Sequence, residues 1–295
     1  MPVLIPGPAS SSLTQRLAEL SGFMKAKINY KVFPDGESYI RIEEPLKGET
    51  AIVIQSCPPP QDKRVMELLQ LIDASLRAGA SKVIAVVPYL AYSRQDKVFL
   101  DYEALSSKII ANAIEAIGAH AFITVNVHSE IVLSYFKIKA LSVDAFPEIA
   151  SYLSSLDFKN PLILSPDRKR YPEAQRVAKI LNGEAAFLEK KRDLTTGDIV
   201  TEERTLNVED RDVIIVDDII STGGTIVNAA KIVSKGKPKR IIAACIHGLY
   251  AANALEKLMA AGVNEVLSTD TIETKTSKIS VAKVLLESIK QLMEG

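Results

Sequence analysis

Tryptophan is absent from this 295-residue chain, which also carries only two cysteines and three histidines. Cys57 and Cys245 lie far apart and in no Cys-x-x-Cys spacing, so neither a disulfide framework nor a zinc module is encoded. Each sits in or beside an apolar run, the setting of a reduced core thiol. An excess of one charge is missing too: 36 Lys and Arg face 36 Asp and Glu. No global field therefore points to nucleic acid or a membrane surface as partner. No apolar run approaches the roughly 18 residues of a membrane span. The opening MPVLIPGPASSSL has neither the basic segment nor the apolar length of a signal peptide. Low-complexity tracts are lacking as well, and the expected location is cytoplasmic. A Walker loop, GxxxxGK[ST], does not occur, so a nucleotide would have to be held by other means.

What is present is apolar sequence, 47% of residues, enough to fill two domains. The chain also repeats itself. The stretch from Leu4 to Glu37 and that from Leu162 to Asp198 each read as strand, Pro-containing loop, helix, strand. AIVIQSCPPPQDKR from Ala51 aligns with VIIVDDIISTGGT from Val213, and both continue through a helix and a glycine to another strand. The region after Tyr102 pairs in the same way with that after Ala252. Apolar strands alternating with amphipathic helices indicate mainly parallel α/β layers. Three collinear matches indicate duplication. The expected architecture is two tandem α/β domains, over residues 1–145 and 146–278. A helical tail, 279–295, carries Val281, Val284, Leu285 and Ile289 at helical spacing and is expected to pack back onto the first domain.

The stretch DDIISTGGT, residues 217–225, departs most from its own repeat. Val213–Asp217 reads as a buried strand delivering Asp217 and Asp218 to its carboxyl end, and buried charge is costly unless paired or solvated. Behind them, Ser221, Thr222, Gly223, Gly224 and Thr225 form a turn whose backbone N–H groups and hydroxyls suit an anion at a helix N-terminus. In open α/β sheets, ligands collect at the carboxyl ends of strands. Acids for vicinal hydroxyls, directly or through hydrated Mg²⁺, and a cradle for phosphate together fit a phosphorylated pentose. The plainer alternative, a helix N-cap on Thr222, leaves the acid pair unexplained.

VIIVDDIISTGGT resembles the phosphoribosyl-diphosphate motif shared by type I phosphoribosyltransferases and ribose-phosphate diphosphokinases. FPDGESYIRI (33–42), MELLQLIDASLRAGA (66–80), PYLAYSRQDK (88–97), NVHS (126–129) and SPD (165–167) resemble the diphosphokinase, or PRPP synthase, pattern in its own order. The resemblance covers nearly the whole chain. It implies two phosphoribosyltransferase-like domains and Mg²⁺-dependent transfer of a diphosphoryl group from ATP to ribose 5-phosphate. A phosphoribosyltransferase that consumes the product, and a silent paralogue of the synthases, are the competing readings.

On the same resemblance, Phe33, Asp35 and Glu37 form a purine-binding loop that in oligomeric members reaches a neighbouring subunit's ATP. A homo-oligomer is therefore expected. Arg94, Gln95, Asp96 and His128 are assigned to ATP; His128 and Asp167 to the Mg²⁺ bridging its phosphates. A second Mg²⁺ is expected beside Asp217 and Asp218 at the ribose hydroxyls. Lys190 and Arg192 belong to a catalytic loop, with Lys191 an alternative to Lys190. Read without the resemblance, FPDGE is simply a good hairpin turn, His128 more often a structural hydrogen-bonding residue, and the charge run 190–192 a solvated surface. The chain departs from the family twice. Asn126 replaces the usual acid two places before His128. Arg168, Lys169 and Arg170 follow Asp167 where a glycine pair is usual; either they contact phosphate or the ribose site is shaped differently.

Overall fold

The structure is a computed structural model that describes residues 2–192, 199–202 and 206–294, with residues 190–192 and 199–202 described by backbone alone. In the first half, β1 (Pro2–Pro6), α1 (Ser11–Ser21) and β2 (Met24–Lys25) precede a hairpin of β3 (Ile28–Val32) and β4 (Ser38–Ile42). Next come β5 (Thr50–Ile54), α2 (Gln61–Arg77), β6 (Lys82–Val87), α3 (Ser106–Ala116), β7 (Ala121–Val125), a short 3₁₀ turn (Glu130–Tyr135) and β8 (Lys139–Val143). After α4 (Phe146–Ser154), the second half runs β9 (Leu162–Ser165), α5 (Tyr171–Leu181), β10 (Glu184–Phe187) and a hairpin of β11 (Glu189–Arg192) and β12 (Ile199–Glu202). It continues with β13 (Asp212–Ile220), α6 (Gly224–Ser234), β14 (Arg240–Gly248), α7 (Ala254–Ala260), β15 (Glu265–Thr269), β16 (Ser277–Ile279) and α8 (Ala282–Glu294).

Each half holds a six-stranded parallel sheet, in the orders β2-β1-β5-β6-β7-β8 and β10-β9-β13-β14-β15-β16. The two orders correspond strand for strand. Each half also places an antiparallel hairpin directly after its second strand. The chain is thus a duplicated α/β fold with helices flanking parallel sheets. Parallel strands are buried on both faces, which is why TAIVI, KVIAVV and AFITV read as continuous apolar runs and lose almost all their exposure.

The polypeptide divides into two compact units, residues 1–144 with 271–273 and 280–295, and residues 145–270 with 274–279. In the first, α8 lies against α1, β7 and β8. It presents Ala282, Leu285, Leu286 and Ile289 as its buried stripe. In the second, α4 lies against α5, β14 and β16. Helix α4 follows the first sheet and belongs to the second unit, and α8 follows the second sheet and belongs to the first. Burial of each such Leu or Ile contributes roughly 1.5–3 kcal/mol.

One element differs from the sequence expectation. The strand carrying the acid pair does not stop at Asp217 but continues to Ile220, with Ile219 opposite His247 and Ile220 opposite Gly248. Two β-branched residues favour the extended conformation. They carry the ladder past the acids, so the carboxylates lie within the strand rather than at its end.

Candidate functional site

In the second unit the chain leaves β13 at Ile220 and enters α6 at Gly224. Gly223 is the N-cap residue, with a left-handed φ of 76° and no side-chain cap hydrogen bond, so Thr222 does not cap the helix. A Cβ at Gly223 would lie 3.3 Å from that of Ala254; conformation and packing both explain this glycine. Gly224 differs. Its φ is ordinary, and a Cβ there would meet nothing nearer than the Thr222 hydroxyl at 4.0 Å. The fold does not require glycine at this position, and the space beside it is open to a ligand. Ser221 is half-buried, and Thr222, Gly224 and Thr225 are exposed, so the helix N-terminus presents donors to solvent.

Behind this cradle, Asp217 is half-buried and Asp218 buried. The Asp217 carboxylate accepts from the backbone N–H of Asp218 at 2.9 Å, and that of Asp218 from the N–H of Ile219 at 3.0 Å. Burial, with the Asp218 carboxylate alongside, raises the Asp217 pKa well above the usual carboxylate range. Two adjacent acids suit hydroxyl donors or a cation. Arg170, at the N-terminus of α5, ion-pairs with Asp218 and lies 3.4 Å from Glu173. Asp167 accepts from the backbone N–H groups of Lys169 (3.0 Å) and Arg170 (3.3 Å). The cationic stretch after Asp167 thus reaches the acid pair through Arg170.

In the first unit, residues 33–37 form the tip of the β3–β4 hairpin. Phe33 N–H donates to Glu37 O at 2.8 Å, and Gly36 closes the turn at φ 99°. Phe33 is 39% exposed, its ring edge-on to Tyr39 at 6.0 Å. The Lys31 ammonium sits 4.6 Å from the Phe33 centroid. A buried carboxylate anchors both strands of the hairpin. Glu67, 0% exposed, accepts from Tyr30 on β3 (2.8 Å), Ser38 on β4 (3.1 Å), Gln55 (3.0 Å) and Arg64 (2.7 Å).

The loops after β6 and β7 converge. The Tyr135 hydroxyl donates to Asp96 O at 2.6 Å, and the Ser107 hydroxyl to Gln95 O at 2.8 Å. The Ser129 hydroxyl holds the Asp96 carboxyl below its usual range, with Lys97 and His128 adding attraction. Arg94 is exposed, whereas Gln95, Asp96 and His128 are half-buried. Asn126 donates to Asp144, the residue after β8, at 3.0 Å.

The expected sites therefore fall into groups: 33–37, and 94–96 with 128, in the first unit; 167, 217–218 and 221–225 in the second. Lys190, Lys191 and Arg192 lie on β11, paired with Thr201, Val200 and Ile199, and their side chains lie outside the described residues. Among the described residues no cluster of three or more His, Cys, Asp or Glu could hold a metal by itself. No helix of the described chain is long and apolar enough to cross a membrane. Both cysteines are free and buried, and burial pushes each thiol up to about 12.

Sequence reading missed Glu67 and the target of Arg170. Glu67 left one signal: an acid beside the buried stripe Val65, Leu68, Leu71 and Ile72 of α2. Arg170 left only its charge, because its partner lies 48 residues away.

Comparison with known proteins identifies the family. Residues 2–118 match the N-terminal domain of ribose phosphate pyrophosphokinase, and residues 135–282 match the phosphoribosyl transferase domain. A ribose-phosphate pyrophosphokinase of Sulfolobus acidocaldarius is 41% identical over 96% of this chain and 97% of its own length. That of Methanothermobacter thermautotrophicus is 39% identical over 98% and 100%. The crystal structure of phosphoribosylpyrophosphate synthetase from Mycobacterium smegmatis superposes with a TM-score of 0.85 at 26% identity, covering 99% of each chain. With both halves of the duplicated fold matched and the likeness running end to end, the chain belongs to the ribose-phosphate pyrophosphokinase family of enzymes.

Proposed function

We propose that this enzyme transfers the diphosphoryl group of ATP to the anomeric hydroxyl of ribose 5-phosphate, giving PRPP and AMP for nucleotide biosynthesis. The observation that carries the reading is the turn at 221–225. An uncapped helix N-terminus with an open position at Gly224 lies directly behind two carboxylates. The 5-phosphate takes the N–H groups and hydroxyls of 221–225, and the ring hydroxyls donate to the acid pair.

The reaction forms a bond from the anomeric oxygen to the β-phosphorus of ATP and breaks the bond from that phosphorus to the oxygen bridging it to the α-phosphorus. AMP leaves with the electron pair, and the hydroxyl proton passes to solvent. Such chemistry asks for positioning and charge stabilisation more than for a covalent partner. Phe33, exposed at a hairpin tip, offers a stacking face to the adenine of ATP on a neighbouring copy of the chain. Asp35 and Glu37 accept from the base. Arg94 meets phosphate oxygens, while Gln95 and Asp96 hold the ribose or metal-bound water. Lys190 and Arg192 stabilise charge developing on the transferring group.

In the first unit His128, and in the second Asp167, would each be a residue for Mg²⁺ on ATP phosphates. A donor set this sparse fits an ion that keeps its waters and takes most of its ligands from phosphate. When bound, the ion neutralises ATP phosphate charge. Asp217 and Asp218 would hold a second ion only if neither acid were already paired with a cation.

Incubation with Mg²⁺, ATP and ribose 5-phosphate tests the reading. AMP and PRPP should accumulate in equal amounts with no nucleobase present. Turnover that instead requires PRPP and a nucleobase, with release of diphosphate, would overturn it.

A further inference from the structure

Of the two carboxylates at 217 and 218, one already has a cation. The Arg170 guanidinium meets Asp218 with the arginine side chain 14% exposed and the aspartate 6%. Glu173, on the next turn of α5, holds the other side of the guanidinium at 3.4 Å. Arginine keeps its charge at every pH a protein tolerates, and its planar fork suits carboxylates. The backbone around it is tied down as well, since the N–H of Arg170 donates to Asp167. A divalent ion seeking both acids would have to displace a buried, doubly held guanidinium and leave it without Asp218. Breaking a buried pair in that way is strongly unfavourable.

We propose that Arg170 is a resident counter-cation that takes the place of a metal ion at the sugar end of the site. Asp218 is then a fixed, pre-paired acid that Arg170 positions. Asp217, half-buried and accepting from the backbone N–H of Asp218, is the carboxylate offered to the sugar hydroxyls. The inference deepens the proposed function at that site by removing the second ion from it. The cationic run 168–170 thereby gains a role in charge balance.

Binding of Mn²⁺ to the whole protein without nucleotide or sugar, followed by the electron paramagnetic resonance of free Mn²⁺, tests this directly. Because no sugar phosphate is present, the outcome is separate from the fate of the ribose 5-phosphate reading. Asp218→Asn in the otherwise unaltered chain should leave the Mn²⁺ isotherm unchanged. Arg170→Ala should gain one site with affinity at least tenfold tighter, and adding Asp218→Asn should abolish that gain. Arg170→Lys, which keeps the charge, should behave as the parent. If Asp218→Asn lowers Mn²⁺ binding by the parent chain, or if a folded Arg170→Ala protein shows the parent's isotherm, the inference is overturned. The Asp218→Asn arm decides the matter even where Arg170→Ala does not fold.

Discussion

The turn from β5 into α2 and the turn from β13 into α6 occupy the same place in the two halves and do opposite things. In the first, Gln55 and Ser56 stand where the second has Asp217 and Asp218. Both are buried, and their hydrogen bonds are spent inside the unit: Gln55 on Glu67 and on the Ala9 N–H, Ser56 on Ser10, Tyr89 and the Thr271 carbonyl. Three prolines, Pro58 to Pro60, then lead into α2. Proline has no N–H, so this turn cannot form a backbone cradle, and Asp62 in the first helical turn repels anions further. In the second half the strand runs on, burial beside Asp218 raises the pKa of Asp217, and the helix opens with Gly223–Gly224–Thr225. One scaffold therefore supports a closed turn and an open one. The difference lies in whether its polar groups are satisfied internally or left for a ligand.

The largest test of that contrast removes the open turn's acids. Asp217→Ala with Asp218→Ala should lower kcat/KM by about 10³ or more, as buried polar partners lose their match in the substrate. Near-parental circular dichroism would keep the loss local, with a lowered melting temperature because Arg170 loses its buried partner; a loss of activity under tenfold would break the comparison. The matching change in the closed half should strike stability. Glu67→Ala leaves the Arg64 guanidinium without its buried partner and the β3–β4 hairpin without its anchor, and should cost about 3 kcal/mol by denaturant unfolding.

A smaller effect has the opposite sign. Because burial and Asp218 raise the Asp217 pKa, the folded chain holds that proton more tightly than the unfolded chain. The resulting stability is full below the usual carboxylate range and is lost as pH rises through the raised value. Asp217→Asn should thus melt higher than the parent at neutral pH while losing activity, and the two should converge near about pH 3. A parent more stable than the variant at pH 7 would show that Arg170 compensates both carboxylates. Least of all, replacing Cys57 or Cys245 by serine should leave activity unaltered, and neither native thiol should react with a disulfide reagent at neutral pH, since each is held near 12.

Much of this architecture was legible in the residues. Apolar runs of strand length, glycines after helices and three collinear repeats foretold two parallel sheets, and the Pro-Asp-Gly turn marked the hairpin. The contrast between DDIISTGGT and its counterpart QSCPPPQ was legible in the repeat itself. The continuation of β13 to Ile220 was hidden because Ile219 and Ile220 fit a strand or a loop equally until β14 pairs with them. The Glu67 network was hidden because its partners come from β3, β4, β5 and α2, which only the tertiary fold assembles. Arg170 read as a phosphate contact or as part of a reshaped ribose site for the same reason: nothing local to 168–170 says that Asp218 lies within reach.

Steady-state kinetics of Gly224→Ala with both substrates varied is the most direct test that the open turn holds the sugar phosphate. Nothing in the fold opposes a methyl group at this position, and alanine in place of glycine favours the helix by roughly 0.5–1 kcal/mol, so the protein should be no less stable. The KM for ribose 5-phosphate should rise about tenfold, as from the loss of roughly 1.4 kcal/mol of binding, while that for ATP stays within about twofold. An equal rise for both substrates, or a rise confined to ATP, would contradict the account.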